Sequence, residues 1–347
     1  MAVRIFYPPY SFAGNAPDWY SDDGRGSMRN GEYMFSGSYE SRFNADWLVS
    51  GDTPYRCFRT NIPRERRILF VDEPPEIREY KHFRYYTEQY GTIISPYEIP
   101  GYTGRTIISN PHLGWLAGIR GEMDSLTKAK NFLMPQKTHE ISIISSMKHK
   151  TEYHRRRSAF MFRVKEEFGD MAECFGNDTR RVDDKIDAIA PYKYHIAIEN
   201  SRHKFYWTEK LTDAWLCWSL PIYCGDPSIL EQVPDKRGIE VIDIDDFPSA
   251  LRRVHEIIDR DIYSSRLDAI RACREWVLKE SNRYELACDI IAASNDKTPR
   301  LEPPEMFRIL ISYRKNFVYK ALRKISGKFA DRVFDSYCRK RGWVYED

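Results

Sequence analysis

The sequence predicts an α/β protein of two domains, the second built on a parallel sheet with helices on both faces. Three observations carry this. From about Lys137 onward, strand-like and helix-like segments alternate in βαβα order, the pattern that a parallel sheet requires. The chain has 347 residues, more than the ~100–200 of a typical single domain. Apolar strand runs also end in polar clusters, Glu199-Asn200-Ser201 and Gly225-Asp226-Pro227-Ser228, at the strand ends where such sheets take ligands.

Taken in order, residues 1–136 form an N-terminal domain rich in Tyr, Pro, Gly and Arg. Short strands are expected at Val3–Tyr7, Arg67–Val71, Gly91–Ser95 and Thr106–Ile108. Long connections such as Gly14–Tyr33 separate them, and long loops on a scaffold commonly carry binding groups. Residues 137–300 form a second domain. Its expected order is a strand at Glu140–Ser145, a helix at Glu152–Phe168, a strand at Tyr194–Ile198 and a helix at Thr208–Trp218. Strands at Leu220–Tyr223 and Glu240–Ile244 follow, then helices near Ser249–Asp259 and Ser265–Ser281. Residues 301–347 are a tail. In it Phe307, Leu310, Phe317, Ala321, Ile325, Phe329 and Val333 recur at helical spacing, and Met306–Arg341 holds eleven Lys or Arg against two Asp. This reads as a basic amphipathic helix or helix pair, packed on the body or lying on a membrane surface.

Composition narrows the classes. Hydrophobic residues at 42% exclude a disordered chain, and a net charge of +3 names no polyanionic partner. The seven cysteines, 57, 174, 217, 224, 273, 288 and 338, are odd in number and lack a C-x-x-C pair. Reduced thiols are expected, and with no signal peptide or apolar span of ~20 residues the chain reads as cytoplasmic. No phosphate-loop or dinucleotide fingerprint occurs. Asp243-Ile244-Asp245-Asp246 resembles a metal-binding DxD, but between a strand and Phe247-Pro248 it reads as a strand-end turn and helix cap. The histidines lack metal-ligand spacing, so no metal site is expected.

The chemistry concentrates in Tyr192–Leu230, YKYHIAIENSRHKFYWTEKLTDAWLCWSLPIYCGDPSIL. Glu199, Asn200 and Ser201 end an apolar strand. A basic, aromatic loop leads to Thr208, a candidate N-cap, and the helix start offers free N–H groups and a positive dipole end suited to a diphosphate. Lys210 adds charge there, and a carboxylate such as Glu209 can accept hydrogen bonds from paired ribose or sugar hydroxyls. Taken singly, Thr-Glu-Lys at a helix start is an ordinary cap. The combination, spaced in this way, resembles the α1,3-fucosyltransferase family, whose site reads F-E-N-S, a short loop, Y-V-T-E-K and a strand like I-P-I-Y-W-G-x-P-S.

That resemblance implies a GT-B fold, two Rossmann-like domains facing across a cleft, with GDP-fucose bound by the C-terminal one. Asn200, Tyr206, Glu209 and Lys210 fall on positions that contact the nucleotide sugar, Glu209 on a ribose and Lys210 on phosphate. Glu199 and Ser201 match the motif, Glu199 as ligand contact or loop support. The stretch Glu173–Lys185 resembles the segment that brings an arginine to the diphosphate, a role for Arg180 or Arg181. Ser145-Ser146 and the basic run His154–Arg157 resemble the first strand and helix of the donor domain. In RILFVDEPPEI, residues 67–77, Glu73 takes the position of the catalytic base; Glu76 is a second candidate, and a solvated acidic turn is the ordinary reading.

The expected reaction is a single displacement with inversion. An acceptor hydroxyl of a glycan or glycoconjugate, deprotonated by Glu73, attacks the anomeric carbon of GDP-fucose as the bond to the diphosphate breaks. Fixed cations stabilise the departing charge, so no metal or other cofactor is expected. Departures from the pattern keep another donor sugar open: Ile198, His203-Lys204-Phe205 in place of a Gly-containing loop, Trp207, and Cys224 where bacterial members often have Trp. A catalytically silent glycan-binding or membrane-adaptor protein is the remaining alternative.

Overall fold

The computed structural model describes residues 2–9, 16–51, 58–75, 86–145, 152–176, 179–294, 305–307, 310–312 and 344–346. The chain divides into two compact units. The first comprises Met1–Asp18, Arg25–Pro111 and Ala287–Asp347, the second Trp19–Gly24 and His112–Leu286.

The first unit is built on strands β1 (Val3–Phe6), β2 (Ser27–Met28), β3 (Tyr33–Ser36), β4 (Trp47–Gly51), β6 (Arg67–Phe70), β7 (Thr92–Ser95) and β8 (Arg105–Ile108), with β5 (Phe58–Thr60) outside the main sheet. Their order is β2-β3-β1-β4-β6-β7-β8. All neighbours are parallel except β2 with β3. Strands β4, β6 and β7 are buried along their whole length, which explains their continuous apolar runs: a central parallel strand has no wet face. Phe6, Leu48, Leu69 and Ile93 pack with Tyr86 and Tyr90 in the core, each fully buried large side chain contributing roughly 1.5–3 kcal/mol of burial.

The second unit carries β9 (His139–Ile144), β10 (Ala172–Phe175), β11 (Tyr192–Ile198), β12 (Leu220–Cys224) and β13 (Glu240–Val241), in the order β10-β9-β11-β12-β13 and parallel throughout. Besides the short α1 (Ala16–Tyr20), its helices are α2 (Leu126–Asn131), α3 (Glu152–Phe168), α4 (Lys185–Ile189), α5 (Glu209–Leu216), α6 (Phe247–Asp259) and α7 (Leu267–Glu280), with α8 (Arg283–Ala292) running into the first unit. Period-2 residues on one sheet face (Ile141 and Ile143, Tyr194 and Ile196, Leu220 and Ile222) meet Phe160, Met161 and Val164 of α3 and Leu251 and Val254 of α6. Helix α5 packs on β11 and β12. Asp246 caps α6, accepting from Ser249 N at 3.2 Å, and Pro248 stands in its first turn. The Asp243–Asp246 run is therefore a turn and a cap, as its sequence reads.

The tail departs from expectation where it is described. Glu305–Phe307 (β14) pairs antiparallel with β5, and Leu310–Ser312 (β15) pairs with Val344–Glu346 (β16), so these residues are strands and not helix. The run Ile309-Leu310-Ile311 is β-branched and apolar, and short apolar runs fit a ladder as well as a helix face. The remaining tail positions lie outside the described residues. Among the described residues no helix is long and apolar enough to cross a membrane.

Candidate active site

Strand order fixes where the second unit can bind a ligand. From β9 the chain goes to β10 on one side, then returns to β11 on the other. The crevice beyond the carboxyl ends of β9 and β11 is thus a topological switch point, the place where open parallel sheets take ligands. At β11 the strand ends in Glu199, Asn200 and Ser201, and Glu199 N donates to Cys224 O at 2.9 Å, so the first residue past the strand still belongs to the ladder.

Glu199 is fully buried. Its Oε1 accepts from Thr208 N at 2.7 Å and its Oε2 from Thr208 Oγ1 at 2.8 Å, with Lys210 Nζ 3.6 Å away. Burial raises its pKa, opposed by Lys210 and the Thr208 bonds. These contacts make Glu199 the brace that holds the start of α5 against the end of β11. Thr208 is the N-cap, accepting from Lys210 N and from Lys210 Nζ, the latter at 2.9 Å.

Between the two, Tyr206 is buried, its carbonyl accepting from Tyr223 Oη at 3.4 Å, and Ser201 is buried beside Asn200. Phe205 has φ +63°, the left-handed region that costs a residue with a Cβ roughly 1 kcal/mol. The loop therefore keeps a glycine-type geometry although His203-Lys204-Phe205 holds no glycine.

Glu209 opens α5. Its Oε1 accepts from Lys185 Nζ at 3.1 Å and Lys210 Nζ at 3.4 Å. Burial pushes this carboxyl up, but Lys185 and then Lys210 outweigh it and hold the group below the ordinary carboxylate range. It is an ionised acceptor beside a cationic helix start.

The guanidinium at this crevice comes from Arg157. Helix α3 follows β9 and presents the basic run in three directions: Arg155 is exposed, Arg156 pairs with Asp245 and Glu152, and Arg157 is 3% exposed and donates to Asn200 Oδ1. Burial works against its charge, opposed by Glu199 and Glu209. Sequence reading reached the run but not this member of it; the usable signal was its place on the helix after β9. Arg180 is elsewhere. It follows β10, the edge strand beyond β9, ion-pairs with Glu173 and lies over the Phe175 ring at 5.5 Å, its side chain 67% exposed. Arg181 is exposed.

In the first unit, Glu73 lies just past β6, beyond Val71 and the buried Asp72. Val71 N donates to Ile94 O at 2.9 Å and Tyr97 Oη to the Glu73 carbonyl at 2.6 Å, so the turn is fixed at the strand's carboxyl end. Glu76 lies outside the described residues. Among the described residues no cluster of three His, Cys, Asp or Glu is arranged to hold a metal ion.

The second unit is thus a doubly wound α/β unit whose switch point gathers an arginine, a lysine, a helix start and an ionised carboxylate. Its residues 134–263 match the model of glycosyltransferase family 10 (fucosyltransferase), C-terminal domain, and this match includes Tyr192–Leu230, the segment whose sequence resembles that family. The chain is 33% identical over 70 residues to alpha-(1,3)-fucosyltransferase FucT of Helicobacter pylori, covering 20% of this chain and 15% of that protein. It is 30% identical over 127 residues to the human 3-galactosyl-N-acetylglucosaminide 4-alpha-L-fucosyltransferase, covering 31% and 34%. The match spans about a third or less of these relatives' length. An α1,3-fucosyltransferase solved with GDP-fucose shares 13% identity with this chain, at a TM-score of 0.45 over 86% of this chain and 92% of that one.

Proposed function

We propose that the protein is an inverting fucosyltransferase that moves fucose from GDP-fucose to a hydroxyl of a glycan. The observation that carries this is the convergence of Arg157, Lys210 and the start of α5 at the switch point, in a segment that matches the fucosyltransferase family. Arg157 and Lys210 receive the diphosphate, a guanidinium forking onto two oxygens and an ammonium supplying a point charge. Glu209 accepts from the ribose hydroxyls, Asn200 is oriented toward the donor by Arg157, Tyr206 and Ser201 line the same loop, and Glu199 braces it.

In the reaction the acceptor oxygen forms a bond to the anomeric carbon while the carbon–oxygen bond to the diphosphate breaks. The hydroxyl proton passes to Glu73, and the electron pair of the broken bond leaves with GDP. Glu73 holds this role by the likeness of its strand-end turn and by its fixed place past β6. Charge developing on the leaving group is met by Arg157, Lys210 and the helix dipole, preorganised before the reaction. These fixed cations do the work that a divalent metal does in other transferases, so transfer is proposed to be metal-independent.

The test incubates the chain with a panel of sugar nucleotides and galactosyl-N-acetylglucosamine acceptors, with and without EDTA. The product linkage is read by NMR. Expected are fucose transfer from GDP-fucose alone, inversion from the β-linked donor to an α-linked product, indifference to chelation, and a loss of at least 100-fold for Glu73→Gln, the scale of a general base. Preference for another donor contradicts the fucose assignment. Retention of configuration contradicts the mechanism, and full activity of Glu73→Gln its base.

A further inference from the structure

Of the two lysines that meet at Glu209 Oε1, only Lys210 has a place in the reading above. Lys185 opens α4, and its Nζ lies 3.1 Å from Glu209 Oε1 and 2.9 Å from Asp213 Oδ2. Asp213 stands one turn beyond Glu209 on α5 and is fully buried. Its Oδ1 accepts the N–H groups of Leu116 at 2.7 Å and Ala117 at 2.9 Å. Asp184, the cap of α4, accepts those of Gly118 at 2.6 Å and Arg120 at 3.2 Å, and Thr212 Oγ1 donates to Gly114 O at 2.5 Å. A chain of charge-assisted bonds therefore runs from loop 114–120 through Asp213 and Lys185 to Glu209.

We propose that Lys185 is a positioning residue of the nucleotide-sugar site: by bridging Glu209 and Asp213 it fixes the carboxylate that accepts the ribose hydroxyls and ties it to loop 114–120. The inference rests on the reading of Glu209 given above. A glutamate side chain loses rotamer freedom when it takes up a ligand, and a fixed cation removes that loss in advance. Lys210 cannot do this alone, since its ammonium is shared among Glu209, Thr208 and Glu199. Lys185 has a second use, electrostatic. The charged groups facing Glu209 are Lys185 from α4, Arg157 from α3, Glu199 from the end of β11, and Lys210 and Asp213 from α5 itself. Burial pushes the Glu209 pKa up, and Lys185 is the largest opposing influence. Removing it lets Glu209 take a proton as the pH falls toward the ordinary carboxylate range and beyond, where a protonated carboxyl accepts poorly.

Calorimetric titration of the full chain with GDP-fucose, whose doubly esterified diphosphate has no terminal phosphate to titrate near pH ~6, between pH 8 and pH 5 tests this. The wild-type chain binds with little change across the range. Lys185→Met binds on the order of ten-fold more weakly at pH 8, the scale of a lost charge-assisted bond, and weakens further toward pH 5. Lys185→Arg recovers most of the affinity and the flat profile. In the Glu209→Gln background Lys185→Met adds no further loss. Should Lys185→Met fail to fold, Lys185→Arg in the wild-type and Glu209→Gln backgrounds decides, a small loss being expected in the first and none in the second. Unchanged affinity and pH profile, or the same loss with and without Glu209, overturns the proposal. Absence of GDP-fucose binding by the wild-type chain overturns instead the reading of the site.

Discussion

A buried guanidinium needs a fixed acceptor, and Arg157 has one in Asn200. This distinguishes it from Arg180, an exposed side chain held by Glu173. Surface ion pairs are worth about 0–1 kcal/mol, whereas losing a charge-assisted contact to a ligand costs roughly 1.5–3 kcal/mol. Arg157→Ala and Lys210→Ala are therefore each expected to raise the KM or Kd for the nucleotide sugar by about ten-fold or more, and Arg180→Ala by less than about two-fold. Titration of the three variants checks this, and a loss for Arg180→Ala equal to that for Arg157→Ala contradicts it. Asn200, Tyr206, Glu209 and Lys210 could be proposed from the sequence because one strand end, one loop and one helix start hold them within eleven residues. Arg157 was not, because three consecutive arginines look alike until helix geometry sends each in its own direction.

At the scale of elements, the start of α5 is the part on which the site depends. Thr208 caps it and also joins it to Glu199. Thr208→Ala is expected to lower stability by about 1–2 kcal/mol, read as a Tm lower by a few degrees, with Thr208→Ser largely restoring it. An unchanged Tm in Thr208→Ala refutes the brace. The long periodic elements were legible: Glu152–Phe168 and the cap of α5 fall where the sequence puts them. Short ones escaped. Strand β4, WLVSG, lacks β-branched enrichment, and β10, AECF, interposes a glutamate that pairs with Arg180. Lys185–Ile189 is a single capped turn, too short for a periodic signal. Residues 305–307 and 310–312, where the apolar spacing fits a helix, pair as strands, and the rest of that periodic run lies outside the described residues.

At the scale of the molecule, the chain folds as two α/β units, and the proposed donor crevice lies wholly within the second. The parallel sheet of the second unit was legible from the βαβα order, whereas that of the first was implied only by the family resemblance. That residues 287–347 cluster with the first unit was not, since pairing between β5 and β14 joins segments some 245 residues apart and leaves no local mark on either. The central claim, that the crevice after β9 and β11 is a GDP-fucose site working without metal, is tested most directly by calorimetric titration of the purified chain with GDP-fucose in EDTA, beside UDP-glucose and UDP-N-acetylglucosamine. Expected is saturable one-to-one binding of GDP-fucose in chelator, at least ten-fold tighter than either uridine donor, and its loss in Arg157→Ala. Equal affinity for all three donors, binding only when a divalent cation is restored, or unchanged binding by Arg157→Ala would contradict it.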